Sequence, residues 1–241
     1  MPLGGRTGMN PDLSRRLSEL RGRMGEAAGR SGRSPDSITL LAVTKTHPIE
    51  TLRDCYDLGL RDFGENRVQE ALSKIPALPP DVRWHLIGQL QTNKINKVLG
   101  LFHWIHSVDS IRLAEGLSSR IPEGNQEILL EVNTSGEPTK SGLAPGDAVQ
   151  AARELLSLPH LRLRGLMTVG PLTADRSKGR DAFKRLRELF EAIRREPGCP
   201  RSFDQLSMGM SSDFEDAIEE GSTIVRVGTL LLGDRSQPAV G

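Results

Sequence analysis

The chain alternates between strand-like and helix-like stretches eight times, and this alternation limits its fold more than any other feature. Each strand-like run is short and apolar, and stretches with helical spacing lie between the runs. The eight runs are ITLLAV (38–43), LRDFG (60–64), RWHLIG (83–88), LFHWIHSV (101–108), EILLEVN (127–133), LRLRGLMTV (161–169), FDQLSMG (203–209) and TIVRVG (223–228). This order predicts an α/β fold, a single-domain (β/α)8 TIM barrel. An open doubly wound sheet is the alternative, but no GxGxxG motif follows the first strand.

A further helix is predicted before the first strand, over residues 10–29. Asn10 is suited to the N-cap and Pro11 to the first helical position. One apolar face follows at helical spacing, made of Leu13, Leu17, Leu20 and Met24. The chain ends soon after the eighth strand, which leaves little room for an eighth helix. We therefore expect the N-terminal helix to cover the barrel at that point.

These elements define one barrel domain over residues 10–235, which includes the N-terminal helix. Residues 1–9 are rich in glycine and lack helical or strand spacing, so we expect a disordered N-terminus, and Met9 is an alternative start. Residues 236–241 are expected to form a tail.

Charge and cysteine content exclude several classes of protein. The chain has 32 Lys and Arg against 31 Asp and Glu, which gives no overall signal for nucleic acid. No apolar run approaches the roughly 18 residues of a membrane span, and no signal-peptide core is present at the start. Two distant cysteines, Cys55 and Cys199, have no metal-ligand spacing. We therefore expect a cytoplasmic protein with no metal site and no nucleic-acid or membrane partner.

The stretch LLAVTKTHP (40–48) ends a buried strand on a lysine, Lys45. A lysine is rarely fully buried without compensation, so Lys45 either reaches solvent or is placed to react. In a barrel, chemistry takes place at the C-terminal ends of the strands. Lys45 lies at that end of strand one, Asn66 follows strand two, and His85 lies within strand three.

The loops after strands seven and eight predict a phosphate site. SMGMSSD follows strand seven, where Ser211 and Ser212 can cap the next helix and offer an anion site. Arg226, Gly228 and Thr229 follow in the last strand and its loop. Barrels commonly bind phosphate with these two loops. Strands one and eight are neighbours in a closed barrel, so Lys45 should lie beside this site.

A lysine beside a phosphate site has more than one interpretation. Lys45 could pair with the phosphate as a point charge. Its amine could instead form a Schiff base, as pyridoxal 5'-phosphate (PLP) or a sugar-phosphate lyase requires. The spacing of these residues does not separate the three.

Seven motifs, in order, resemble those of the YggS/PROSC family, the pyridoxal phosphate homeostasis proteins. The resemblance extends over residues 38–235, and the motifs are AVTKTHP, GENRVQE, WHLIGQLQTNK, VNTSGEPTKSG, GLMTVGP, SMGMSSDFEDAI and VRVGT. It implies a fold type III barrel like the N-terminal domain of alanine racemase. It also implies that Lys45 carries PLP as a Schiff base and that Arg226 faces the pyridine nitrogen. The remaining implied contacts are the Met210 backbone, Ser211, Gly228 and Thr229 at the phosphate, and Asn66 and His85 at the ring.

The resemblance implies a carrier of PLP more than an enzyme. Arg226 keeps its proton and would leave the pyridine nitrogen neutral, which weakens the ring as an electron sink. Racemisation needs a second acid–base group, and the one tyrosine, Tyr56, lies in the helix after strand one. We expect a monomer that maintains intracellular PLP and amino-acid balance without strong catalysis and supplies PLP-requiring apo-enzymes. A weak racemase that uses His85 or water, or a Schiff-base sugar-phosphate lyase, is the alternative.

Overall fold

The computed structural model describes residues 10–171, 173 and 175–233. The expected disordered segment 1–9 and the tail 236–241 lie outside the described residues.

Eight parallel strands close into a barrel in chain order, and β1 pairs with β8. Each strand overlaps its predicted run, which confirms the (β/α)8 barrel. The strands are β1 (Thr39–Val43), β2 (Asp62–Glu65), β3 (Arg83–Leu86), β4 (Trp104–Val108), β5 (Gln126–Glu131), β6 (Leu161–Met167), β7 (Gln205–Ser207) and β8 (Ile224–Val227).

Eight α-helices surround the barrel in the described part of the chain: α1 (Pro11–Arg30), α2 (Ile49–Asp57), α3 (Val68–Lys74), α4 (Ile111–Ser118), α5 (Ala148–Ser157), α6 (Arg176–Arg194), α7 (Phe214–Glu219) and α8 (Thr229–Leu232). Between β3 and β4 the connection is a short 3-10 helix, Thr92–Lys97, rather than an α-helix. Within the described residues, no helix combines the length and apolar character needed to cross a bilayer.

Helix α1 covers the barrel where α8 is too short to do so. The predicted apolar face of α1 is buried, and Asn10 accepts hydrogen bonds from the first turn. α8 has only four residues, and α1 packs against both α7 and α8. Two ion pairs hold α1 to α7, Arg23–Glu215 at 3.0 Å and Arg30–Glu219 at 2.6 Å. The extra N-terminal helix is therefore part of the barrel wall.

Candidate functional site

A cavity of about 370 Å³ opens at the C-terminal ends of the strands. This volume lies within the usual range for small-molecule sites. Seven of the eight residues predicted for the site line the cavity, brought together from the ends of β1, β2, β7 and β8. These seven are Lys45, Asn66, Met210, Ser211, Arg226, Gly228 and Thr229, and Val43, Ile87, Val169 and Ser212 complete the lining.

His85 is the exception among the predicted site residues. It is 2% exposed and is not part of the cavity lining. Its Nδ1 lies 2.9 Å from His106 Nε2, and its Nε2 lies 3.0 Å from Asp62 Oδ1. Both ring nitrogens are thus engaged inside the barrel, and His85 reaches the cavity only indirectly. The expectation that His85 lines the ring pocket is corrected accordingly.

The residues on either side of Lys45 are held by hydrogen bonds. Thr44 is fully buried, and its hydroxyl donates to Glu65 Oε1 at 2.6 Å. The next residue after the lysine, Thr46, has a φ of 66°, which a β-branched residue rarely adopts. The backbone N–H of Thr46 donates to the carboxylate of Glu70. The backbone around Lys45 is therefore fixed on both sides.

Lys74, which sequence reasoning missed, joins these contacts into one cluster that is buried except at the partly exposed Glu70. Its ammonium donates to the carbonyl of Thr44 at 2.8 Å, to Glu65 Oε1 at 2.8 Å and to Glu70 Oε1 at 2.7 Å. Burial raises the pKa of Glu65, and the hydrogen bond from Lys74 opposes that shift. The sequence carried one signal, since Glu70 and Lys74 are four residues apart on α3. The cluster therefore fixes the backbone of Thr44 and Thr46, the two neighbours of Lys45.

Asn66 presents an unsatisfied acceptor at the cavity. Its Oδ1 is buried and has no hydrogen-bond partner among the described residues. Buried polar atoms almost always have a partner, so a ligand hydroxyl or a water is expected at this atom.

The loop after β7 differs in detail from the prediction. α7 begins at Phe214, and no side chain caps it, so Ser211 and Ser212 are not helix caps. The backbone N–H of Met210 donates to Asp213 Oδ1 at 2.6 Å and is therefore not available to a phosphate. Both expectations are corrected. α7 has no side-chain cap, and Asp213 accepts the Met210 N–H that was expected to bind the phosphate.

Other donors remain on this side of the cavity. The Ser211 hydroxyl accepts a long hydrogen bond, 3.5 Å, from the Leu230 N–H. Among the described residues, no acceptor pairs with the backbone N–H groups of Gly228 or Thr229. Two hydroxyls and two backbone N–H groups thus surround one part of the cavity, which is the donor set that an anion requires.

Arg226 contributes a buried positive charge to the cavity. It is 5% exposed, and its terminal nitrogens donate to Ser207 Oγ at 2.6 Å and to the Thr168 carbonyl at 2.7 Å. Burial lowers the pKa of Arg226 to about 10, which keeps the guanidinium charged at neutral pH.

A larger cavity, about 760 Å³, lies at the other end of the barrel, near the start of β4 and β5. It is lined by Phe102, Trp104 and Gln126 among others and contains no lysine. Chemistry rather than size therefore selects the Lys45 cavity as the candidate site.

Fold and site together define the class of this protein, a single-domain (β/α)8 barrel with a lysine and an arginine in one cavity at its mouth. Comparison with known proteins agrees with this class. The family described as alanine racemase, N-terminal domain, matches residues 19–236. An alanine racemase of Corynebacterium glutamicum shares the fold with a TM-score of 0.69 at 13% identity, over 91% of this chain and 59% of that one.

Two relatives are similar over nearly their whole length. A pyridoxal phosphate homeostasis protein of Pseudomonas aeruginosa is 44% identical over 230 residues, which cover 94% of this chain and 97% of that protein. The structure of PipY of Synechococcus elongatus with PLP bound is 38% identical, with a TM-score of 0.81, over 92% of this chain and 100% of that one. The chain therefore belongs to the alanine racemase N-terminal domain family, among the pyridoxal phosphate homeostasis proteins.

Proposed function

We propose that this protein binds PLP in the Lys45 cavity, holds it covalently through the Lys45 amine, and maintains PLP and amino-acid balance without strong catalysis. The observation that carries the proposal is that one cavity brings together Lys45, Arg226 and several hydroxyl and N–H groups that can donate hydrogen bonds to an anion. The relatives support it, because they are named homeostasis proteins and PipY was solved with PLP.

Each main group of PLP would have a partner among the cavity residues. The amine of Lys45 would condense with the aldehyde and release water, which leaves one carbon–nitrogen double bond. Arg226 would donate a hydrogen bond to the ring nitrogen. The buried, unsatisfied Oδ1 of Asn66 would accept from the ring hydroxyl.

The phosphate would bind between the last two loops. The hydroxyls of Ser211 and Thr229 and the backbone N–H groups of Gly228 and Thr229 are the available donors. α7 and α8 are short, so these individual donors rather than a helix dipole would hold the charge.

The protonated state of Arg226 favours a carrier of PLP over an enzyme with strong catalytic activity. When bound, PLP supplies an aldehyde and an electron-withdrawing ring. A guanidinium whose pKa is about 10 does not give up its proton to the ring nitrogen at neutral pH. The ring would then be a weak electron sink.

A weak racemase is the second candidate, because the lysine and the PLP-type cavity are also what such an enzyme uses. His85 is a poor base for it, since both ring nitrogens are engaged within the barrel. Water is the remaining base. A sugar-phosphate lyase is third and has no feature of its own in the site.

The proposal has three further parts, which concern the location, the oligomeric state and the partners of the protein. We propose that the protein is cytoplasmic, that it acts as a monomer, and that it supplies PLP to apo-enzymes. Size-exclusion chromatography with light scattering would measure the oligomeric state, and reactivation of a PLP-free transaminase would measure delivery.

Exchange of an amino acid's α-proton in heavy water separates carrier from racemase. The loaded protein is incubated with L-alanine, and a Lys45→Ala variant is the control. No exchange above the control is the expected result. Exchange that depends on Lys45 would assign the protein to the racemases instead.

A further inference from the structure

A continuous chain of hydrogen bonds crosses the barrel interior from Arg226 to Asp62. Arg226 donates to Ser207 Oγ at 2.6 Å, and Ser207 Oγ lies 3.0 Å from His106 Nδ1. His106 Nε2 lies 2.9 Å from His85 Nδ1, and His85 Nε2 lies 3.0 Å from Asp62 Oδ1. All five side chains are buried. The chain links β8, β7, β4, β3 and β2 in turn.

The far end of this chain is a carboxylate at the opposite end of the barrel. Asp62 is the first residue of β2, and Arg83 Nε donates to its Oδ1 at 2.7 Å. Burial by itself would raise the pKa of Asp62, but the hydrogen bonds from Arg83 and His85 outweigh it and lower the pKa to about 2. At neutral pH Asp62 is ionised and can only accept hydrogen bonds.

This acceptor sets the direction of every bond in the chain. Burial lowers the pKa of His85 and of His106, so both rings are neutral and each carries one N–H. His85 must donate to Asp62 through Nε2, so its Nδ1 accepts from His106. The Nδ1 of His106 then accepts from the Ser207 hydroxyl, whose oxygen accepts from Arg226. All four bonds donate away from Arg226.

The direction of the chain stabilises a charge that has no carboxylate within hydrogen-bond distance, although Glu131 and Asp213 attract it from farther away. Among the described residues, the hydrogen bonds of the buried Arg226 guanidinium go to Ser207 and Thr168 and none goes to a carboxylate. A buried cation is costly unless oriented acceptors surround it. Aligned hydrogen bonds polarise one another. Here the acceptor lone pairs of Ser207 and the two histidines face Arg226, and their N–H and O–H groups point toward Asp62. The Thr168 carbonyl holds the other terminal nitrogen.

We propose that Asp62, His85, His106 and Ser207 are positioning residues for Arg226. They fix which N–H of the Arg226 guanidinium points into the cavity. The chain of hydrogen bonds that fixes it ends on Asp62, at the opposite end of the barrel. The inference rests on the proposed function only for its consequence, the affinity for PLP; the hold on Arg226 is a property of the protein without cofactor.

The test measures the mobility of the Arg226 side chain and the affinity for PLP in the same variants. Side-chain NMR of protein labelled with ¹⁵N-arginine reports rotation of the guanidinium nitrogens, and an Arg226→Lys variant assigns the signal. His106→Phe keeps a planar ring and removes both ring nitrogens from the chain. Asp62→Asn removes the charge at the far end. His160→Phe alters a histidine just before β6, outside the chain, whose Nδ1 lies 3.1 Å from the Gly124 carbonyl oxygen, and is the matched control.

In the unaltered protein we expect separate signals for the Arg226 guanidinium nitrogens, because rotation of the side chain averages them only slowly. In His106→Phe and Asp62→Asn we expect this rotation to be faster. The PLP dissociation constant, measured by absorbance titration, should rise at least about tenfold in His106→Phe, the loss expected for a hydrogen bond to a charged group. His160→Phe should change neither quantity.

Two results would overturn the proposal. One is an Arg226 signal that is the same in both variants as in the unaltered protein, and the other is faster averaging with no loss of PLP affinity. If His106→Phe does not fold, Asp62→Asn decides the matter alone. If the unaltered protein binds no PLP, the proposed function fails, and the NMR comparison still decides whether the chain holds Arg226.

Discussion

The ammonium of Lys74 lies 2.8 Å from Oε1 of Glu65, and neither side chain is more than 8% exposed. Removing one member of such a buried pair leaves the other charge uncompensated, which typically costs 3–5 kcal/mol. Lys74→Met should therefore lower the free energy of unfolding by about 3–5 kcal/mol in urea denaturation.

The double variant Lys74→Met/Glu65→Gln should regain part of that loss, because it removes both charges. Lys178→Met, at an exposed lysine of α6, is the control and should change stability little. If Lys74→Met were as stable as Lys178→Met, the buried pair would not support the strand end at Lys45.

The raised pKa of Glu131, at the end of β5, predicts that the stability of the protein depends on pH. Burial raises its pKa to about 7 from 4.5, and the nearby charge of Asp109 adds to the effect. The folded-state pKa is above the unfolded value, so the stabilising contribution is complete below pH 4.5 and is lost as the pH rises through 7.

Glu131→Gln should therefore be more stable than the unaltered protein at pH 8, by about 1–3 kcal/mol. The two proteins should converge toward pH 4.5. Urea titrations at the two pH values measure the difference. A difference that is constant with pH, or that grows as the pH falls, would contradict the account of Glu131.

Ser211 tests the position of the proposed phosphate site. A carboxylate introduced by Ser211→Glu would face the phosphate with a like charge, which is strongly unfavourable where water is excluded. The PLP dissociation constant should rise more than about tenfold. Ser202→Glu, at an exposed position beyond α6, should bind PLP normally. Normal binding by Ser211→Glu would place the phosphate elsewhere.

Leu17 tests the role of α1 as part of the barrel wall. Its side chain is 3% exposed, so Leu17→Asp removes apolar packing and buries a charge. The free energy of unfolding should fall by about 3 kcal/mol or more. The exposed neighbour Ser18 provides the control, Ser18→Asp. Equal stability of the two variants would show that α1 is not needed by the barrel.

Local patterns were enough to predict the strands, the N-terminal helix and six residues of the cavity, and the family resemblance added Met210. Lys45, Asn66 and Arg226 each lie at or near the end of an apolar strand, and the closed order of the barrel brings those ends together. That inference needs only strand periodicity and the geometry of parallel strands.

Partners that are distant in the sequence could not be predicted in the same way. His85 meets His106 and Asp62 at separations of 21 and 23 residues, and His106 meets Ser207 at a separation of 101. Strand alternation can place a side chain inside the barrel, but it does not say which polar groups it meets there. The bond from Met210 to Asp213 was missed for another reason, because loop geometry decides which N–H remains free.

The central claim is that Lys45 holds PLP. The most direct measurement is the visible absorbance of the purified protein with PLP before and after borohydride reduction, followed by peptide mapping. We predict a yellow band that collapses on reduction and a pyridoxyl mass on the peptide that contains Lys45. No band, or label spread over surface lysines with none on Lys45, would contradict the claim and leave Lys45 as a charge that pairs with a phosphate.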